Sequence, residues 1–251
     1  MMPFLMLGSD IAMTFLKSGW PLLGILAIVL ISLNIFYFLN RKLFYLLERE
    51  DWPALVYYLE SQVIQKSKYS PRLVTLLANT YLVLSDSVSV TALEKKLTAA
   101  KPALLNSNCL TFGVARILSK DYEGAAQFFQ KRLNSSKIES HEWVRWYYGF
   151  SKLLNEDYTL AADDFIVLVK ESRDPLIIGL SAYFLDKTLA KALPARKDEL
   201  KHYAEDGKKR VKNYFPTQAA WKKDAGKMQT EIYASVIIKY INHAEVWIYS
   251  A

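Results

Sequence analysis

A chain of 251 residues that is 52% apolar and carries a net charge of +7 can bury a sizeable core and is excluded from the disordered class. Its single cysteine, Cys109, excludes an intramolecular disulfide framework, and no Cys or His pair has metal-site spacing, so no metal and no cofactor is expected. Eight prolines and nine glycines are few beside abundant Leu, Ala, Lys, Tyr and Glu, which favours long helices joined by short turns: the fold class read here is all-α.

The first element is apolar throughout. Pro21 to Leu39, PLLGILAIVLISLNIFYFL, contains no charge, and with Trp20 it reaches the roughly 20 residues that cross a bilayer core. Thirteen of these residues are Leu, Ile, Val or Phe. At about −0.4 kcal/mol each, their insertion outweighs one Asn, one Ser and Gly24. Residues 1–40 are therefore read as an N-terminal segment with a transmembrane helix spanning about 20–39. A buried core helix is usually shorter, and a cleaved signal peptide would end in small residues where FYFLNRK stands, so an uncleaved anchor is expected. Trp20 and Tyr37 suit the two interfaces. Arg41, Lys42 and Arg49 follow the span while Lys17 precedes it, which by the positive-inside rule places the remainder on the cytoplasmic side of the membrane. Entry of the apolar start, MMPFLMLGSDIAMTFL, into the bilayer would change that balance.

Residues 41–215 show a period. KDYEGAAQFFQKRL, from Lys120, is echoed 36 residues later by EDYTLAADDFIVLV, from Glu156. Tyr122, Ala125, Ala126 and Phe129 fall at i, i+3, i+4 and i+7 of one helix, and Tyr158, Ala161, Ala162 and Phe165 repeat the stripe. Upstream of each lies a second helical pattern with a glycine nine residues before the tyrosine, Gly113 and Gly149, so each unit reads as two helices and a tight turn. Steps of 35 backwards land on Ala78 and then Leu43, and Pro53 after Asp51 supports a helix start there. The small residue lets the second helix come close.

This pattern resembles the tetratricopeptide repeat, with Gly113, Tyr122, Ala125 and Phe129, and again Gly149, Tyr158, Ala161 and Phe165, at four of its positions. The chain departs from it in placing Lys120 and Glu156 at the turn glycine, Arg116 and Lys152 at the tyrosine of the first helix, and Arg132 and Leu168 at the last small position. A proline closes only one of the two repeats, at Pro175. The resemblance covers residues 41–175 and implies an α-solenoid whose first helices line a peptide-binding groove. The alternative is a set of ordinary helical hairpins of similar length.

Beyond Pro175, LIIGLSAYFLDKTLAKAL reads as a fifth first helix and the segment after Pro194 as its partner. Residues 216–251 are then a capping helix and an apolar tail. In the cap, Ile232, Val236 and Tyr240 form an inward stripe and Ile237 and Ile241 begin a second. Val246, Trp247 and Ile248 are apolar surface in excess of one cap, an interface for a partner or a second copy of the chain.

No nucleotide-binding or nucleophile motif is present, so no enzyme is expected. His141, His202 and His243 stand far apart and read as surface or helix-end residues, Cys109 as a small buried hydrophobe, and Asp163 and Asp164 as the edge of a solvated face. In HEWVRWYYGF, Trp143, Trp146, Tyr147 and Phe150 have helical spacing and most must be core. Arg145 and Tyr147, with Arg116 and Lys152, are the candidate groove residues. Where the two echoes differ, at Gln127, Lys131 and Arg132 against Asp163, Asp164 and Leu168, function is the more natural reading.

Charge is concentrated late: residues 186–227 are net +6 against +2 for residues 41–185. Lys208, Lys209, Arg210, Lys212, Lys222 and Lys223 form this basic patch, read as a solvated face, as a contact with anionic lipid beside the anchor, or, less favoured, as a nucleic-acid surface. The sequence thus points to a membrane-anchored scaffold that recruits proteins into a membrane-associated complex. The alternative is a permanently built-in subunit of a membrane machine.

Overall fold

A computed structural model describes residues 9–134, 138, 140–228 and 231–250, and for residues 9–20 and 23 the backbone course alone. Among the described residues every regular element is helical. The chain divides after Tyr58.

In the first unit, α1 (Ser9–Glu48) is one uninterrupted helix of 40 residues containing Pro21. Leu22 and, from Ile25 to Leu39, its large apolar side chains point outward, with Phe38 and Leu39 over 70% exposed. Among the described side chains a stretch long and apolar enough to cross a membrane, Gly24–Glu48, overlaps the expected span of about 20–39, and the helix runs on past Arg41 and Lys42. Its polar side chains turn back on the backbone: the Nδ2 groups of Asn34 and Asn40 donate to the carbonyls of Leu30 and Phe36, 2.8 Å in each case. An amide satisfied within its own helix is far less costly to place in hydrocarbon. Tyr37 stacks on Phe44, and Arg41 lies over the Phe38 ring. The expected interfacial role of the Trp20 side chain falls outside the described side chains. After a turn, α2 (Trp52–Glu60) begins with Pro53 in its first turn, as the sequence predicts, and runs on into a π turn, Ser61–Gln65.

The second unit is a series of helix pairs. α3 (Pro71–Val83) pairs with α4 (Ser87–Ala100). A short α5 (Ala103–Ser107) leads to α6 (Cys109–Leu118) and α7 (Tyr122–Leu133), then α8 (His141–Leu154) and α9 (Tyr158–Glu171). α10 (Pro175–Phe184), extended by a π turn to Ala192, pairs with α11 (Lys197–Tyr214). From α6 to α11 each helix packs on its neighbour in sequence. Two starts are set by a side-chain cap followed by proline: Ser70 accepts from the amide of Leu73, and Asp174 from those of Leu176 and Ile177.

The period is written into the backbone turns. Glu50, Ser85, Lys120 and Glu156 all have positive φ, between 51° and 64°, at spacings of 35, 35 and 36. Each is followed by an aspartate. In all four turns the left-handed residue donates to the carbonyl three places back and the aspartate to the carbonyl five places back. This is the double bond of a Schellman turn. Asp51, Asp86 and Asp121 then cap the next helix through the amides of Ala54, Ser89 and Gly124. Asp157 instead accepts from Lys152 and Asn155. Lys120 and Glu156 thus stand in the conformation a glycine would adopt freely. A left-handed L residue costs about 1–2 kcal/mol, of which glycine's extra chain entropy takes back roughly half. Glu156→Gly should therefore raise stability by about 0.5–1 kcal/mol, read as a higher urea midpoint. A lowered midpoint would contradict this turn geometry.

Gly113 and Gly149 are contact points. A Cβ on Gly113 would stand 2.0 Å from Cζ of Phe129, and one on Gly149 3.2 Å from Cε1 of Phe165. Ala125, Ala126, Phe129, Ala161, Ala162 and Phe165 are all buried, as the repeated stripe predicts. Further along, Trp146 lies with its ring centroid 5.0 Å from Phe150, 6.0 Å from Phe165 and 6.1 Å from Phe184, an aromatic core shared by α8, α9 and α10.

The C-terminal part is not the single capping helix expected. α12 (Gln218–Met228) is followed by a 3₁₀ turn, Ile232–Val236, and by α13 (Ile238–Tyr249). Ile237, Ile241, Ala244 and Ile248 are buried, whereas Ile232, Val236 and Tyr240 of the expected inward stripe are only half-buried. The chain changes course at the 3₁₀ turn, and this re-phases the stripe.

Candidate functional site

The first helices of the pairs, α3, α6, α8 and α10, should present the groove. The chain's own C-terminal segment lies against all four. The 3₁₀ turn packs on α3 and α6. The Tyr147 hydroxyl of α8 donates to the carbonyl of Tyr233 at 2.6 Å, and the two rings meet edge to face. Tyr240 packs between Phe150 and Phe184, with centroids at 5.7 and 4.9 Å. On α10, Gly179 leaves the space that Trp221 and Ile248 enter. The indole Nε1 of Trp247 donates to Asp186 at 3.0 Å.

This arrangement corrects two expectations. Tyr147, expected to be exposed, is fully buried, and burial pushes its phenol well above the ordinary range. In the proposed C-terminal interface, Ile248 is fully buried and Trp247 8% exposed, so the only residue of the three available to a partner is Val246, 63% exposed. The apolar excess read in the tail is satisfied inside its own fold.

The remaining groove candidates are engaged by carboxylates. Arg116 on α6 pairs with Glu94 of α4 at 2.9 Å and with Asp121 at 3.0 Å. Arg145 on α8 pairs with Asp164 of α9 at 3.2 Å, and Lys152 with Asp157 at 3.2 Å. They fasten first helices to second helices and do not converge on one point. Burial raises the Asp164 carboxyl from its usual value and Arg145 draws it part of the way back. At this site the contribution to stability is therefore full below the unfolded carboxylate's range and is lost as pH rises through the folded value. Asp163 is exposed and receives Arg196 from the start of α11 at 2.8 Å.

The basic patch is likewise divided. Arg210 donates to the carbonyls of Val169, Lys170 and Ser172, closing the C-terminal end of α9. Lys208 lies over the Trp247 ring at 5.3 Å, and Lys222 pairs with the buried Glu245 at 3.4 Å. Lys209, Lys212 and Lys223 remain on the surface. Cys109 is buried, and His141, His202 and His243 are exposed, in the places the sequence predicts. Among the described residues no group of His, Cys, Asp and Glu could hold a metal.

Sequence reasoning missed Tyr233 and Asp186, whose partners lie 86 and 61 residues away and leave no local signal. It did mark Gln127, Lys131 and Arg132, which line a cleft between α4, α5 and α7.

The model of a family described as an uncharacterised Treponema protein matches residues 89–250, from within α4 through the C-terminal segment. An uncharacterized protein of Treponema pallidum (strain Nichols) is 28% identical over 233 residues, covering 90% of this chain and 74% of its own. No solved structure matches.

Proposed function

We propose that this chain, which belongs to the family of the uncharacterised Treponema protein, is a membrane-anchored scaffold built as a tetratricopeptide-like α-solenoid. In this reading α1 crosses the bilayer once, the helix pairs stand on the cytoplasmic side, and they hold other proteins in a membrane-associated complex without catalysing a reaction. The observation that carries it is the recurrence of one turn, left-handed residue then aspartate, at Glu50, Ser85, Lys120 and Glu156. Glycine at the close helix contacts supports the same reading. Stacked pairs of this kind present extended surfaces and suit binding.

The C-terminal segment lies on the face where such arrays take a peptide, so in this reading partners dock elsewhere, on surface that carries Lys209, Lys212 and Lys223. The alternative of a permanently built-in subunit was motivated by an apolar tail seeking a neighbour, and that tail is buried internally. Nucleic-acid binding is less favoured too, since Arg210 and Lys208 of the six patch cations are turned onto the chain's own carbonyls and Trp247.

The test is cross-linking in cells followed by purification from detergent. The full chain should stay in the membrane on alkaline extraction and recover a reproducible set of proteins. The triple variant Lys209→Glu, Lys212→Glu, Lys223→Glu should lose them while remaining folded. Recovery of lipids and chaperones alone, or release from the membrane by alkali, overturns the proposal.

A further inference from the structure

We infer that the cleft between α4, α5 and α7 is a binding site for the oxyanion of a small molecule, a phosphate or a carboxylate. The cleft holds about 660 Å³, within the range of small-molecule sites, and Glu94, Arg116, Gln127, Phe128, Lys131 and Arg132 are among its lining residues.

Arg132 is the residue that requires explanation. It is only 9% exposed, yet among the described residues no carboxylate lies within ion-pair distance of it. Its guanidinium stacks on the Phe128 ring at 3.3 Å and gives one Nη1 bond, 3.0 Å, to the Phe128 carbonyl, while its buried Nε finds no acceptor. Glu94, which lines the same cleft, is already held by Arg116. Burial accordingly lowers the Arg132 pKa from its ordinary value. The Nε of Arg116, in the same cleft, is also buried without an acceptor. Both arginines line this one cleft, with the exposed Lys131 at its rim.

Packing does not call for this arginine. At the matching place in the next pair stands Leu168, which is 3% exposed and fills the same interhelical position with an apolar side chain. A cation desolvated without a direct ion pair costs several kcal/mol in general, and an oxyanion seated in the cleft would supply the paired charge that Glu94, engaged by Arg116, does not. The fork of a guanidinium suits the planar oxygens of carboxylate and phosphate alike. The apolar wall of Phe128 and Leu105 would receive the body of the same ligand.

The experiment is calorimetric titration of the full-length chain in detergent with inorganic phosphate and, separately, with succinate, at constant ionic strength. One of them should saturate at a single site. Saturation by phosphate alone identifies a phosphorylated ligand, and saturation by succinate alone a carboxylate. Arg132→Leu, which copies the next pair, should weaken that binding at least about tenfold, and Lys131→Glu on the rim should weaken it in the same direction. Should Arg132→Leu fail to fold, the Lys131→Glu titration decides. No saturation by either anion, or unchanged affinity in the folded variants, overturns the inference.

Discussion

Deleting residues 244–251 should lower the stability of the whole helical array by about 3–6 kcal/mol, a large share of the 5–15 kcal/mol that holds a typical domain together. The deletion removes Trp247 and Ile248, each a large buried side chain, and the buried Ala244 beside them. It removes the indole bond to Asp186 and uncovers the face of α10 around Gly179. Urea unfolding followed by circular dichroism in detergent should show an early transition or none at all. Were the tail an interface reserved for a partner, the isolated chain would unfold at an unchanged midpoint. The point variant Val246→Ala is the control, since that side chain is exposed and its loss should shift the midpoint little.

The second large effect is expected at Gly113. In most helices Gly→Ala adds about 1 kcal/mol of stability through backbone propensity. Here the new methyl would enter the Phe129 ring, whose nearest carbon lies 2.0 Å from the Cβ position, and Phe129 is itself fully buried. Overpacking of this kind costs about 1–3 kcal/mol even after relaxation, and the depth of this overlap places it at the upper end. Gly113→Ala should therefore lose about 2 kcal/mol net, while Gly149→Ala, with its neighbour 3.2 Å away, should be close to neutral. Adding Phe129→Leu should recover part of the loss at Gly113. Equal effects at the two glycines would contradict the closer approach of α6 to α7.

Much of this architecture was legible in the sequence because it depends on local spacing. A charge-free run of apolar residues announced α1, and Tyr122, Ala125, Ala126 and Phe129 announced the second helix of a pair by period alone. The turns were partly concealed. A Schellman turn is held by backbone bonds, and a lysine or glutamate can take the left-handed place for a kcal/mol or so. Lys120 and Glu156 therefore read as departures from the repeat when they occupy its turn.

What no local pattern could reveal is which surfaces meet at long range. The tail's composition predicts burial but does not say against what, and an intramolecular groove and a partner leave the same apolar signature. Tyr147 shows the consequence: with Trp143 and Trp146 it belongs to an aromatic band on α8, and it lies inside because Phe129 stacks on it and Tyr233 arrives from 86 residues away. Arg210 reads as one cation in a basic run, because the carbonyls it closes belong to α9 some 40 residues earlier.

The C-terminal segment lying across the first helices covers the face on which a groove was expected. Amide hydrogen exchange of the full-length chain in detergent tests it directly. Ile238–Tyr249 should exchange as slowly as His141–Leu154, the helix against which part of it packs. Exchange of Ile238–Tyr249 at the rate of an unstructured tail, with His141–Leu154 still protected, would contradict it.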